Sequence, residues 1–325
     1  LRVKLELSSA IQSVRRRASV LKANARSVLA VGGLKLRKRR LLNAESDIVI
    51  TLTTYSARLE RFGLVLDSLM RQKIERSYGI VVHLSAEDLP DGQLPPHLEI
   101  YRRAGVLFHV HQENVRSYKK LVYEYAKSEG RILVTADDDI IYPGYWLREL
   151  VRVSGVHPRC IVAYRAHFLS LDGERKFRPY SEMMIGGHLD GSRLVPRFDL
   201  MPTGVSGVLY PPGSLSPISI DASMYMAYAP TADDIWFKIA SLLAATPCVQ
   251  VQRRNRHFAS IPGSQDSALY LQNVGLSKND AQLAACFELF PALFEMIRKP
   301  YPTLGSDHVL EGWDSSRPDR LKAPR

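Results

Sequence analysis

Cysteine is scarce in this 325-residue chain, which holds only Cys160, Cys248 and Cys286. The count is odd and no CxxC spacing occurs, which argues against a disulfide framework and a structural zinc site. Buried free thiols are the expectation. Long apolar runs are missing as well: none approaches the roughly 20 residues needed to span a bilayer. There is no N-x-[ST] sequon, no GxGxxG and no GxxxxGK[ST], so the common glycine-rich phosphate cradles are not part of this chemistry. Disorder is excluded by a composition that is 46% hydrophobic and 24% charged, enough to bury a core. The chain begins at Leu1 rather than methionine. It is therefore expected to be a partial chain, and an upstream targeting segment stays open.

What is present is unevenly distributed. The net charge is +11, and residues 1–46 carry twelve Lys/Arg against two Asp/Glu, which leaves about +1 for the rest. Val14, Val20, Leu21, Val28 and Leu29 share one helical face of this arm, with arginines elsewhere. A basic amphipathic helix of this kind suits an anionic membrane surface or a docking partner. No aromatic residue interleaves it, which disfavours nucleic-acid stacking.

From Asp47 onward the pattern is β-α-β-β-α-β: strands at Ile48–Leu52, in "YGIVVHLS", in "GVLFHVH" and in "RILVTADDD", with helices in "RLERFGLVLDSLMRQ" and "YKKLVYEYAKSEG". Near-continuous apolar strands predict an α/β fold with a mostly parallel, doubly wound sheet flanked by helices. The second half adds one strand in "PRCIVAYRAHFLSL", one at Val205–Tyr210, a helix in "PTADDIWFKIASLLAAT" capped by Thr231, a strand in "PCVQVQR" and one long late helix in "SKNDAQLAACFELFPALFEMI". The expected organisation is an arm (1–46), a catalytic domain (47–298, with a nucleotide-binding half, 47–145, and an acceptor-binding half, 146–298) and a tail (299–325).

Asp137, Asp138 and Asp139 stand at the end of an apolar strand. Ligands of open α/β sheets sit outside the carboxyl ends of the strands, so the loop Thr53–Arg58 and the three aspartates should share one crevice. Clustered carboxylates repel one another, and a hard divalent cation relieves that repulsion while binding a substrate's phosphates. Asp233 and Asp234 open a helix, where they either serve its dipole or act on substrate. Asp234, adjacent to Ile235, Trp236 and Phe237, is the preferred proton acceptor of the two.

Three stretches in order, "ITLTTYSAR", "VTADDDIIYPGYW" and "ADDIWFKIASLL", together with "TGVSGVLYPP", resemble GT-A fold glycosyltransferases, closest in style to exostosin-like domains and bacterial capsule and O-antigen enzymes. The likeness spans roughly Asp47 to Leu293. It implies that Thr54, Tyr55 and Arg58 meet the nucleotide, with Asn114 and Lys119 as further donor contacts. It assigns Asp139 to the metal, Mn²⁺ or Mg²⁺, and shares ribose, sugar and metal contacts between Asp137 and Asp138. Gly204, Ser206 and Gly207 would lie beneath donor sugar and acceptor, Trp236 would wall a sugar ring, and His257 would be a late metal ligand. Arg253, Arg254 and Arg256 offer a diphosphate clamp, and "SQDSALYLQNVGLSKNDAQL" resembles a lid.

The implied activity is hexosyl or N-acetylhexosaminyl transfer from a nucleotide-diphosphate sugar, with a UDP-sugar as first expectation, to a glycan or lipid-linked glycan hydroxyl. The expected location is the cytoplasmic side, peripheral to the membrane. The alternatives are a nucleotidyltransferase acting on sugar phosphates, disfavoured because "TLTTYSARLER" lacks a glycine-rich basic signature, and a non-catalytic sugar-binding protein. A carboxylate-pair hydrolase would need a defined acid separation that sequence does not give.

Overall fold

A computed structural model describes Leu29, 42–43, 45–89, 92–128, 130–173, 175–185, 192–261 and 278–299. Nearly all of the basic arm, most of the lid stretch and the tail beyond Lys299 lie outside the described residues. Seven strands form the central sheet: β1 (Ile48–Thr53), β2 (Gly79–Ser85), β3 (Leu107–His111), β4 (Ile132–Thr135), β6 (Ile161–Ala163), β9 (Val208–Tyr210) and β10 (Cys248–Gln250). Their order is β10-β6-β9-β4-β1-β2-β3. Only β9 runs against its neighbours β4 and β6; the other pairings are parallel. Two short antiparallel pairs complete the strands: β5 (Ile140–Ile141) with β11 (Ala259–Ser260), and β7 (Ala166–Phe168) with β8 (Leu200–Pro202).

Both faces of the sheet are covered, which is why its inner strands are apolar at successive positions. On one face Val49, Val81, Leu133 and Val208 pack with α3 (Lys119–Tyr125), α7 (Asp233–Leu243), α8 (Lys278–Leu289) and α9 (Leu293–Arg298). On the other, Ile48, Ile50, Ile80, Val134 and Leu209 pack with α1 (Leu59–Leu69) and α4 (Trp146–Val156). Each core draws residues from before and after position 145, because β9 pairs directly with β4. Shorter helices, α2 (Glu99–Arg103), α5 (Tyr180–Ile185) and α6 (Ala222–Tyr228), fill the connections. Among the described residues no helix is long and apolar enough to cross a membrane.

Three local expectations change. The strand expected in "PRCIVAYRAHFLSL" is two, β6 and β7, because the Ala166 N–H is taken by the Asn255 side chain (3.0 Å) and the chain leaves the sheet. The late helix breaks into α8 and α9 around Pro291, which cannot continue a helical ladder. Thr231 does not cap α7: its N–H and hydroxyl meet Gln282 Oε1 (2.9 and 3.3 Å), and Ala232 holds the cap position without a side-chain bond. All three cysteines are buried and free, as expected.

Candidate functional site

The sheet order reverses between β1 and β4, so the loops leaving these strands diverge and open a crevice. The two expected loops meet there. Arg58, one 3₁₀ turn beyond β1, bonds Asp138 through Nη1 and reaches Asp139 Oδ2 with Nη2 at 3.1 Å. Tyr55 lies beside it, with the guanidinium 5.4 Å from its ring centre. Thr54 is buried at the base of the same loop. A planar fork facing adjacent carboxylates suits arginine better than lysine.

The aspartate turn is held by its own backbone. The Asp137 N–H donates to the Tyr142 hydroxyl at 2.8 Å, and the Asp139 carbonyl accepts from the Ile261 N–H at 2.7 Å, beside the β5–β11 pair. Burial raises the Asp138 pKa against the pull of Arg58. Burial, then the charge of Asp137, pushes Asp139 up to about 7, again opposed by Arg58. Closely placed carboxylates in a partly desolvated crevice favour a proton or a cation between them.

Because β9 is antiparallel, its start lies beside the end of β4, and Thr135 faces Val208. The turn Gly204–Ser206 therefore enters the same crevice, and so does the first turn of α7. Gly204 N–H donates to both oxygens of Asp234 (3.0 and 3.2 Å). Asp233 accepts from Ser117 Oγ at 3.0 Å and forms an ion pair with Lys120 Nζ at 2.8 Å. Neither aspartate caps its own helix. Burial and the neighbouring Asp233 push Asp234 up to about 7, with Lys120 and the Gly204 N–H pulling the other way.

Lys120 is the residue that sequence reasoning missed. Its ammonium lies 2.8 Å from Asp233 and 3.5 Å from Asp137, so it joins the two acidic motifs. Burial opposes its charge, yet Asp233, Asp137 and Asp234 hold its pKa well above the ordinary lysine range. Its backbone is anchored to the sheet, where the Thr51 hydroxyl donates to the Lys120 carbonyl at 2.7 Å. The turn that delivers α3 contains Arg116 at φ +54°, a costly conformation for a residue with a side chain. Gly204 is what leaves room for the ammonium: a Cβ there would lie 2.7 Å from Lys120 Nζ.

The remaining predicted residues divide. Lys119 points to the end of β2, where its ammonium bonds Ser85 Oγ (2.5 Å), Asn114 Oδ1 (2.9 Å) and Asp88 Oδ2 (3.1 Å). Its three donors are thus engaged, and Asn114 is tied to Glu87 and the Arg116 N–H as well. Trp236 is 0% exposed with its indole N–H on the Ile218 carbonyl, so it is core rather than a sugar wall. Ser206 is also buried: its hydroxyl donates to the Arg256 carbonyl and its carbonyl accepts from Trp146 Nε1. Gly207 serves that packing. At φ +90° it has a backbone that glycine tolerates best, and a Cβ would fall 2.5 Å from the Trp146 ring.

His257 is exposed on the segment before β11 and does not join the aspartates as a third ligand. Among the described residues, no three His, Cys, Asp or Glu side chains converge into a group that could hold a metal ion. The strand end therefore offers at most two carboxylates as a donor set. That set suits a hard divalent cation only where a substrate diphosphate supplies further oxygens.

No protein-family model matches the chain, and no curated relative does. Solved structures do. S. aureus TarS 1-349 matches with a TM-score of 0.41 and 14% identity, over 65% of this chain and 59% of that chain. Its complex with UDP gives 0.43 and 12% over the same shares. Its complex with UDP-GlcNAc gives 0.39 and 13% over 65% and 57%. The match thus spans less than two thirds of the TarS chains.

Proposed function

We propose that this chain is a GT-A-type glycosyltransferase, moving a sugar from a nucleotide-diphosphate donor to a hydroxyl of a glycan. The observation that carries this reading is the junction of two acidic motifs, one at the sheet's switch point and one opening α7, through the buried ammonium of Lys120. One motif faces the crevice where nucleotides are expected, and the other presents a proton acceptor next to it.

In this reading Tyr55 and Arg58 meet base or phosphate, and Asp138 meets ribose or sugar. Asp137 and Asp139 would hold a divalent cation, Mn²⁺ or Mg²⁺, which would neutralise the charge that grows on the leaving diphosphate. Asp234 orients the acceptor hydroxyl and, in an inverting reaction, takes its proton as the new C–O bond forms. Its carboxylate is aimed by the Gly204 N–H and biased by Asp233. Lys120 and Ser117 fix Asp233. The donor sugar is a hexose or N-acetylhexosamine. The basic arm would hold the enzyme at the cytoplasmic face of an anionic membrane carrying a lipid-linked acceptor.

The test is nucleotide release from a panel of UDP-, GDP-, CMP- and ADP-sugars with Mn²⁺ and then with EDTA. UDP-GlcNAc heads the panel, because TarS has been crystallised with it. Release of one nucleotide, dependent on metal and lost in Asp139→Ala, is the expected result. No release, and no thermal shift with any nucleotide, would overturn the reading.

A further inference from the structure

The segment from Ala244 to Ile261 contains no Asp or Glu but carries Arg253, Arg254, Arg256 and His257. All four side chains are exposed. Three exposed helical arginines are each matched by a glutamate of the same helix, Arg102 by Glu99, Arg152 by Glu149 and Arg298 by Glu295. Here the local sequence offers no such match, in a body whose net charge is only about +1.

The segment is also built into place. Arg256 N–H donates to the Tyr164 carbonyl at 3.1 Å, the Arg256 carbonyl accepts from Ser206, and Asn255 Oδ1 takes the Ala166 N–H. Gln252 Nε2 closes the turn on the Arg254 carbonyl at 2.9 Å. Arg165 adds a fourth arginine: its Nη1 donates to Thr203 Oγ1 at 2.6 Å, and Thr203 immediately precedes the Gly204 N–H that holds Asp234.

Position decides what this strip meets. Arg253 and Arg254 follow β10, three strands from β4 in the order β4-β9-β6-β10. At about 4.8 Å per strand their backbone starts roughly 14 Å from that of the aspartate turn, and Arg256 lies on the stretch that returns towards it, its Nη2 on the Tyr145 hydroxyl at 3.3 Å. Asp234, beside the start of β9, lies between. A chain whose hydroxyl reaches Asp234 would continue over β6 and β10, across these cations. Resting on the transferase reading, we infer that the acceptor is an anionic glycan, whose carboxylate or phosphate groups lie on the strip formed by Arg165, Arg253, Arg254 and Arg256.

The experiment measures binding of the full chain to three labelled oligomers of matched length, oligogalacturonate, linear polyphosphate and neutral dextran, with and without saturating UDP. An Arg253→Gln/Arg254→Gln variant, an Arg165→Gln variant and an arm variant (Arg15→Gln/Arg16→Gln/Arg17→Gln) run alongside. The expected result is preference for an anionic oligomer over dextran, weakened about 3- to 30-fold in the double variant as two partly screened contacts are lost, and retained with UDP bound. A preference for oligogalacturonate or for polyphosphate identifies carboxylate or phosphate as the recognised group. Unchanged binding in the double variant with loss in the arm variant would overturn the inference in favour of the arm. Displacement by UDP would overturn it in favour of a donor clamp. Absent nucleotide binding removes the transferase reading, and it is scored in the separate release assay.

Discussion

Asp138 and Asp139 take their counter-charge from Arg58, a residue on a neighbouring loop with 18% of its side chain exposed. Asp233 takes its counter-charge from Lys120, inside a helix and under a glycine that leaves just enough space. The first arrangement is exchangeable, since a guanidinium on a short 3₁₀ turn can give way to substrate phosphate or a cation. The second is permanent, since α3 is fixed to β1 through Thr51 and cannot withdraw its lysine without unpacking. In the proposed transfer a donor product would leave at each turnover, whereas the geometry that activates an acceptor hydroxyl would persist. The two acidic motifs differ in the way those demands differ.

The comparison breaks most directly at Lys120. Lys120→Met keeps the length of the side chain and removes the charge, leaving Asp233 and Asp137 uncompensated in a buried setting. Loss of one partner of a buried pair costs about 3–5 kcal/mol, so a clear fall in melting temperature is expected. Turnover should fall by about 100-fold, as displaced positioning groups do to an aligned site. A variant that melts and turns over like the parent would mean that the lysine is incidental.

Much of this architecture was legible in the sequence. Ile48–Leu52, "RILVTADDD" and "ADDIWFKIASLL" were placed correctly because β-branched runs and helical periodicity are local signals. Lys120 was not, because nothing local distinguishes it from Lys119, the neighbour in "YKKLVYEY" that was chosen instead. Only the packing of α3 across β1, β2 and β4 buries both, and then sends them to different partners. The available clue was compositional: four of the next five residues are apolar or aromatic, so this helix had little polar face to spare. Trp236 was misread for the converse reason. Three consecutive large apolar residues in a helix mean burial on all sides, and α7 is enclosed by the sheet, α8 and α9. The cap at Thr231 failed because Gln282, 51 residues away, holds that side chain.

A second test sharpens the acceptor side. The Asp234 carboxyl is pushed up to about 7, well above its value in an unfolded chain. The folded state therefore holds a proton between about pH 4 and 7 that the unfolded state has released, and the slope of stability with pH is negative across that window. Stability from this group is fully present below pH 4 and is lost as pH rises through 7. Asp234→Asn removes the penalty. Its melting temperature should exceed that of the parent at pH 8, by an amount worth up to about 4 kcal/mol, and converge with it near pH 4. A constant offset at all pH values would show that Asp234 does not titrate in this range.

The smallest effect is expected at Arg58, and it discriminates best between exchangeable and permanent counter-charge. Arg58→Gln keeps a hydrogen-bonding group near Asp138 and Asp139 but removes the cation. The loss should be about 1–2 kcal/mol, the scale of a hydrogen bond to a charged group rather than of a stranded buried ion. If Arg58 occupies a place that a cation can take, Mn²⁺ at millimolar concentration should restore most of the lost melting temperature in Arg58→Gln. The same Mn²⁺ should leave Lys120→Met unrescued, because the space beneath Gly204 is closed by packing. Equal rescue of both variants, or of neither, would collapse the distinction between the two motifs.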